Sequence, residues 1–221
     1  MSRSDHRTSH RHHAIAVAPM IVLLAACASM PAGDPSTDTV STRAVADSIP
    51  TADAIPPGKG TLRTDDIALR LQVPGIQVRM IPLNESIIRV LSPDAYRAMR
   101  DLVESRRADI TRMAAQRGMR GESVWYVTFH GVETEARFTP TDITVNSMGR
   151  DYRPIEIIPL SQGFGNQRVR QRETLSALYL FEDGINVENS LTVSMDVSRN
   201  TSWEAILRRI QRERALIRGR G

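Results

Sequence analysis

The run Thr-Leu-Ser-Ala-Leu-Tyr-Leu-Phe, residues 174–181, decides the fold that we predict for this chain. It is almost continuously apolar, whereas segments on either side alternate apolar and polar residues with the period of a β-strand. Residues 124–129 and residues 191–197 alternate most clearly. The residues that share one face of these two segments are Trp125, Val127 and Phe129 in the first, and Leu191, Val193, Met195 and Val197 in the second.

Three more short strands are predicted between these segments, separated by residues that favour turns. The apolar pairs that mark them are Ala136 with Phe138, Ile143 with Val145, and Ile155 with Ile157. Six or so short strands, spaced about 8 to 15 residues apart, predict an antiparallel β-sandwich over residues 122–198.

Residues 62–121 are predicted to form a β-hairpin and one long helix. Alternating residues on both sides of Pro74-Gly75 predict the hairpin. A short helix from Asn84 or a third strand follows it. The long helix is predicted to begin after Ser92, its N-cap, and to end at Gly118. Its apolar stripe is predicted to be buried, the alternative being a partner groove, and consists of Tyr96, Met99, Val103, Ile110 and Met113.

Residues 199–221 predict a C-terminal amphipathic helix that is rich in arginine. Thr201 and Glu204 have the spacing of a capping box at its start. We expect its tryptophan end to pack on the sandwich. The alternative is that its arginines contact anionic lipid headgroups.

The run from Arg172 to Asp183, followed by Leu191-Thr192-Val193, resembles the closing strands of immunoglobulin-like domains in uncharacterised exported bacterial proteins. The resemblance implies an α+β protein built on an antiparallel immunoglobulin-like sandwich. The hairpin and the long helix precede this sandwich, and the amphipathic helix follows it. The resemblance carries over no binding residue, because a fold alone does not fix a function.

Residues 1–26 are predicted to be a signal peptide. Arg3, Arg7 and Arg11 provide a basic start, and no charge occurs from Ala14 to Ala26. This apolar run of about 13 residues is shorter than the roughly 20 residues that a membrane-spanning helix needs. It ends in Leu24-Ala25-Ala26-Cys27, which contains the only cysteine of the chain.

These last four residues resemble the lipobox of bacterial lipoproteins. The resemblance implies cleavage between Ala26 and Cys27, a diacylglycerol on the Cys27 sulfur and often a third acyl chain, such as palmitate, on its amine. Two or three chains anchor a protein stably, because one chain binds a membrane only weakly. Ala28, where an aspartate would favour the inner membrane, implies the periplasmic face of the outer membrane in an organism that has one. The alternative is an ordinary secretory peptide in which Cys27 occurs by chance.

Composition limits the partners of the mature chain. Residues 1–26 hold three of the 29 basic and one of the 25 acidic side chains, which leaves 26 and 24. This near-neutral balance predicts no nucleic-acid partner. Residues 27–61 are rich in Pro, Gly, Ser and Thr, and are predicted to be a lipidated, disordered linker with a reach of about 30 Å. A single cysteine allows no intramolecular disulfide.

The sequence predicts no catalytic residue, no metal site and no cofactor. His130 is the only histidine beyond the signal peptide, whereas zinc sites usually combine several His and Cys ligands. The Gly163-Phe164-Gly165 segment lacks the Lys-Ser/Thr of a phosphate-binding loop. The nearest carboxylate pairs are predicted to be solvated rather than acid–base pairs, and these are Glu133 with Glu135 and Glu182 with Asp183.

Arg168, Arg170 and Arg172 are the candidate binding residues. On one extended strand they would share a face at a spacing of about 6.5 Å, which suits the carboxylates or phosphates of a polymer. The alternative is that they are solvated charges that prevent an edge strand from aggregating.

These observations predict a lipid-anchored, non-enzymatic protein of the cell envelope that binds or scaffolds an unidentified ligand. Its expected partners are the membrane, through the lipid on Cys27, and a cell-wall polymer or another envelope protein. One alternative is a structural subunit that assembles through the long helix. A second is a hydrolase that uses carboxylates.

Overall fold

The computed structural model of the protein describes residues 55–220. The predicted signal peptide, the predicted lipidation site Cys27 and residues 28–54 of the predicted linker lie outside the described residues. The described part belongs to one compact unit of the chain.

Strands and helices are both abundant, which confirms the predicted α+β class. The strands are β1 (Leu69–Val73), β2 (Ile76–Pro82), β3 (Glu122–Gly131), β4 (Glu135–Arg137), β5 (Thr144–Ser147), β6 (Arg150–Tyr152), β7 (Glu156–Pro159), β8 (Arg168–Arg170), β9 (Thr174–Glu182), β10 (Leu191–Met195) and β11 (Ser198–Asn200). The helices are α1 (Glu85–Ile88), α2 (Pro93–Ser105), α3 (Arg107–Gln116) and α4 (Trp203–Gly219).

The main sheet has the strand order β1-β2-β3-β9-β7, and each neighbouring pair is antiparallel. The predicted hairpin is confirmed as β1 and β2, joined by Pro74-Gly75, with Gly75 at a φ of 73°. Because β2 pairs with β3, the predicted regions 62–121 and 122–198 share this one sheet.

Strand β9 is buried on both faces, which explains why its sequence is almost continuously apolar. On one face, Tyr179 lies opposite Trp125 of β3, and both side chains are buried. Buried apolar residues of β1 and β2 extend this layer of the core. On the other face Leu178 lies opposite Ile158 of β7 and is also buried. The polar residues of this strand are Thr174 and Glu182 at its ends and the half-buried Ser176.

Two smaller sheets complete the fold. One has the order β11-β10-β5-β6, and the other is a ribbon of β4 and β8. The side-chain amide of Asn200 on β11 donates to the carbonyl of Arg70 on β1 at 2.7 Å, which links the second sheet to the edge of the main sheet. Val197 was predicted to share the buried face of β10, but it lies in the turn between β10 and β11 and is 87% exposed.

Aromatic side chains hold the ribbon against the main sheet. The ring of Phe129 on β3 stacks on that of Phe138, which follows β4, with 4.2 Å between ring centroids. Phe164, which precedes β8, contacts both rings edge to face. These contacts fix the ribbon in place although each of its strands has only three residues.

The prediction of one long helix is wrong in one respect, because the structure has two helices, α2 and α3, separated at Arg106. The hydroxyl of Ser105 donates to the carbonyl of Leu102 at 2.8 Å, the carbonyl that would otherwise accept from Arg106. The Arg106 amide donates to Val103 instead. Of the predicted stripe, Tyr96 and Ile110 are buried, and the other members are partly buried against the core.

Of the two structures predicted after Asn84, a short helix or a third strand, the structure contains the helix, α1. The Asn84 side chain accepts from the amide of Ser86 at 2.8 Å and caps the helix. Leu91, which was predicted with this segment, lies beyond the helix and bridges to Leu62.

Helix α4 buries its apolar side, as predicted. Trp203 donates through its indole nitrogen to the carbonyl of Val187 at 3.0 Å. The predicted capping box is wrong, because Ser202 is the N-cap and its side chain makes no capping bond. Asn200 organises this turn instead, accepting from both the amide and the hydroxyl of Ser202 at 2.7 Å.

A buried arginine fixes the second half of α4. Arg214 is 8% exposed and donates to both carboxylate oxygens of Glu188 at 2.7 Å, and to the carbonyl of Ser86 at 2.6 Å. These hydrogen bonds from Arg214 hold the pKa of the Glu188 carboxyl below its usual value, although partial burial opposes the shift. The helix is therefore attached to the loop before β10 and to α1.

Residues 55–62, which we call the N-terminal strap, are part of the folded body. Ile55 is 2% exposed in the core, and Gly60 lies so close to Val90 that a Cβ would be 1.6 Å from the Val90 oxygen. Thr61 donates through its amide and its hydroxyl to Glu213 of α4, at 2.8 and 3.0 Å. The linker was predicted to extend to residue 61, whereas Ile55 and Gly60 are buried in the structure.

Candidate functional site

The structure separates Arg172 from the other two candidate arginines. Arg168 and Arg170 lie on the exposed face of β8, on either side of the buried Val169. Arg172 lies in the turn before β9 at a φ of 63°, where its amide donates to the carbonyl of Gly131 at 2.8 Å. The prediction that all three share one strand face is therefore wrong for Arg172, because the chain must turn there to enter β9.

The exposed face of the β4–β8 ribbon brings a different arginine to the site. Arg137 lies directly opposite Arg168, and Glu135 lies directly opposite Arg170. We call these four side chains the arginine ribbon. Arg137 was not among the predicted binding residues, although the order Glu135, Ala136, Arg137 is the alternation of a half-buried strand.

The charges of the arginine ribbon are only partly balanced. Arg168 donates to Glu135 at 3.1 Å, and both side chains are about half exposed. Two like charges directly opposite each other on neighbouring strands destabilise a sheet, and Arg137 and Arg168 are such a pair. Three guanidinium groups thus face solvent with one carboxylate, an arrangement that attracts anions.

Two clefts of about 610 Å³ each adjoin the arginine ribbon. The first, which we call the ribbon cleft, lies between the ribbon and the turn that joins β10 to β11, and Arg137, Arg168 and Asp196 line it. The second extends along β8 past Arg168 and Arg170 to Glu173. Both volumes fall within the range of about 300 to 1,000 Å³ that is typical of small-molecule sites.

The remaining candidates for chemistry have partners in the fold. His130 is half-buried on β3, and its Nδ1 lies 2.9 Å from the hydroxyl of Thr174. Of the predicted carboxylate pairs, Glu135 accepts from Arg168, and Glu182 accepts from Arg150 at 2.6 Å. Asp183 accepts from the amide of Gly184. Each predicted pair thus has at least one acid bonded to an arginine.

Within residues 55–220, no cluster of three or more His, Cys, Asp or Glu side chains is arranged to hold a metal ion. No helix in this range combines the length and the apolar character that crossing a bilayer requires. Gly163 precedes a 3₁₀ turn, Phe164–Asn166, at a φ of 82°.

The apolar side of α4 is covered by the core, and the part of the helix that faces solvent is mostly polar, with Leu216 as an exception at 53% exposed. Arg208 pairs with Glu204 at 2.9 Å, and Arg209 pairs with Asp66 at 3.3 Å. Arg212 is exposed in a shallow groove of α4. This helix therefore offers charge to a membrane or a partner, but not the apolar stripe that insertion among lipids needs.

Comparisons of the chain with protein-family models, with curated proteins and with solved structures return no match.

Proposed function

We propose that this chain is a lipid-anchored protein of the cell envelope that binds an anionic ligand through the arginine ribbon and catalyses no reaction. The observation that carries the binding half of the proposal is the unbalanced charge of the ribbon beside two clefts. Leu24-Ala25-Ala26-Cys27 supports the anchoring half, because its residue types suit cleavage and thiol lipidation. On the same resemblance, Ala28 supports a location on the periplasmic face of the outer membrane in an organism that has one.

Replacement of Cys27 by Ser tests the anchor. We expect the wild-type protein to incorporate labelled fatty acid and to fractionate with membranes, and Cys27→Ser to do neither. Normal processing and identical fractionation of Cys27→Ser would overturn the anchor, as would the absence of label from the wild type. Ala28→Asp is the sorting control, and we expect it to move the protein to the inner membrane while labelling persists.

Retention on cell-wall polymer tests the binding. A soluble chain lacking residues 1–27 should be retained by purified wall polymer, and the double replacement of Arg168 and Arg170 by Gln should weaken retention about tenfold or more, since each lost charged hydrogen bond costs about 1.5 to 3 kcal/mol. Arg172→Gln is the control for the loss of one arginine charge, because Arg172 lies outside the ribbon face. Equal retention of all variants rejects the ribbon as the site.

A structural role in an envelope complex is the second candidate, favoured by α2 and α3. Met99, Leu102 and Val103 of α2 are only partly buried, so some apolar surface of these helices faces outward. A partner helix could bury it. Cross-linking in intact cells separates the two candidates: a stoichiometric protein captured through α2 supports assembly, and captured glycan supports binding.

We also propose that the main and second sheets form the two layers of an immunoglobulin-like sandwich. Buried residues of both sheets belong to one hydrophobic cluster, which supports a shared core. The order β1-β2-β3-β9-β7 places three consecutive strands side by side, unlike the ABED and CFG order of immunoglobulin domains, so the proposal concerns the layers and not the strand order. An experimental structure with the two layers about 10 Å apart would support it. One continuous curved sheet would overturn it.

A further inference from the structure

We infer that the ribbon cleft binds a zwitterionic ligand of the class of short peptides with a free carboxylate and a free ammonium group. This inference rests on the proposed binding function, in which the arginines bind an anionic group, and adds that the same ligand carries an ammonium group. It differs from a simple anion site, because the ligand must carry both charges.

Charges of both signs line the ribbon cleft, and they come from different parts of the fold. Arg137 and Arg168 belong to the β4–β8 ribbon. Asp196 belongs to the turn between β10 and β11, and Asp142 ends the 3₁₀ turn that follows β4. A ligand in the cleft therefore meets guanidinium donors from the ribbon and carboxylate acceptors from the neighbouring turns.

Most of these charges have no partner within the described part of the chain. Arg168 pairs with Glu135, which lies outside this cleft. No ion pair joins Arg137, Asp142 or Asp196 to another described residue, although they line one cleft and most described arginines are paired. A zwitterionic ligand satisfies both signs at once, whereas a simple anion leaves the carboxylates unpaired and close to it.

The cleft also has an apolar component that suits a peptide. Val73, Phe138 and Met195 line it and are largely buried, so their exposed atoms form part of its wall. Small-molecule sites commonly combine such apolar walls with a few convergent polar groups.

Two lining residues hold unusual backbone conformations. Gln167 has a φ of 55° and Asp196 a φ of 53°, which are two of the four positive values among non-glycine residues of the described range. Each such conformation costs about 1 to 3 kcal/mol, and such residues cluster at ligand sites. Gln167 and Asp196 both line the ribbon cleft.

Calorimetric titration of the full-length protein in detergent tests the inference with three probes. These are trialanine with free ends, N-acetyl-trialanine and trialanine amide. We expect trialanine to bind, and blocking either end to weaken binding about tenfold, since an ion pair with hydrogen bonds is lost at that end.

Two variants assign each end of the peptide to its side of the cleft. In Arg137→Gln, we expect the tenfold difference between trialanine and its amide to disappear, while the effect of acetylation persists. In Asp196→Asn, we expect the effect of acetylation to disappear, while the difference between trialanine and its amide persists. Asparagine is chosen because it tolerates the positive φ at this position. Arg212→Gln on α4 is the control and should bind all three probes as the wild type does.

The outcomes distinguish failure of this inference from failure of the proposed function. Equal binding of trialanine and N-acetyl-trialanine overturns the inference and leaves a simple anion site. Absence of peptide binding with retention on wall polymer also overturns it, while the proposed function stands. Loss of both peptide binding and polymer retention rejects the inference and the binding function together. An unchanged probe pattern in both variants moves the site away from this cleft and overturns the inference.

Discussion

At the scale of the residue, the hydroxyl of Tyr179 is one of two buried side-chain polar atoms without a hydrogen-bond partner among the described residues, the other being Nε of Arg214. Tyr179 is 0% exposed, between Phe129 and Phe181, and its hydroxyl has no hydrogen-bond partner among the described residues. Burial raises the pKa of this phenol well above its ordinary value, so the group is neutral at any physiological pH. A buried polar group without a partner costs free energy.

Replacement of Tyr179 by Phe should therefore stabilise the protein. We expect the free energy of unfolding to rise by about 1 kcal/mol, because the unpaired hydroxyl is removed and the ring remains. Tyr152→Phe is the matched control, since its hydroxyl donates to the carbonyl of Gly184 at 3.1 Å and its loss should destabilise by a similar amount. Urea unfolding measures both changes. A destabilised Tyr179→Phe would show that the hydroxyl has a partner.

At the scale of the element, regular strands were predictable and local exceptions were not. The apolar run 174–181 and the alternation around residues 125–129 correctly predicted β9 and β3, because burial on two faces or on one leaves a direct trace in the sequence. At the break between α2 and α3, the hydroxyl of Ser105 bonds to the backbone carbonyl of Leu102. The helix propensities of the residues do not predict such a bond.

The candidate site was also only partly predictable from the sequence. Arg168 and Arg170 were predicted on one face from their spacing, and the structure places them there. Arg137 joins them through the pairing of β4 with β8, which is a contact between distant parts of the chain. Arg172 leaves them because the chain turns there. Spacing describes one strand, whereas a site made of two strands depends on their register.

Replacement of Glu188 by Gln tests the attachment of α4. We expect a loss of about 1 to 3 kcal/mol at neutral pH, because Arg214 keeps its charge in a buried place without its carboxylate. The pKa of Glu188 is lowered in the folded state, so its contribution is complete above about pH 4.5 and falls as the pH drops below that value. The difference between wild type and variant should therefore shrink in acid.

Glu204→Gln is the control for this measurement. Glu204 also pairs with an arginine of α4, Arg208, but both side chains are well exposed, so we expect a change of less than about 0.5 kcal/mol. Chemical denaturation between about pH 3 and pH 7 measures both variants. A difference for Glu188→Gln that stays constant over this range would contradict the assigned ion pair.

At the scale of the whole molecule, the N-terminal strap connects the start of the described chain with α4 near its end, through the hydrogen bonds from Thr61 to Glu213. Its composition predicted a disordered linker, because a Pro- and Gly-rich segment with one buried apolar residue shows no periodic pattern of apolar residues. The contacts that hold it depend on the glycine at position 60 and on Glu213, more than 150 residues later. Such a contact cannot be inferred from the local sequence.

Removal of the strap should destabilise the protein. We expect a chain that begins at residue 62 to lose about 3 kcal/mol relative to one that begins at residue 47, because Ile55 leaves the core and the carboxylate of Glu213, 5% exposed, loses both donors. Thermal unfolding of the two chains measures the effect. Equal stability would mean that the strap does not contribute to the fold.

The position of the strap also places it in the path of mechanical load from the N-terminal side. In a chain tethered at Cys27, as proposed, a pulling force on the described residues passes along the strap before it reaches β1. On that path lie the hydrogen bond from Ser92 to Leu62, at 2.8 Å, and the bonds from Thr61 to Glu213. These bonds would have to break before the load reached β1, which is the edge strand of the main sheet.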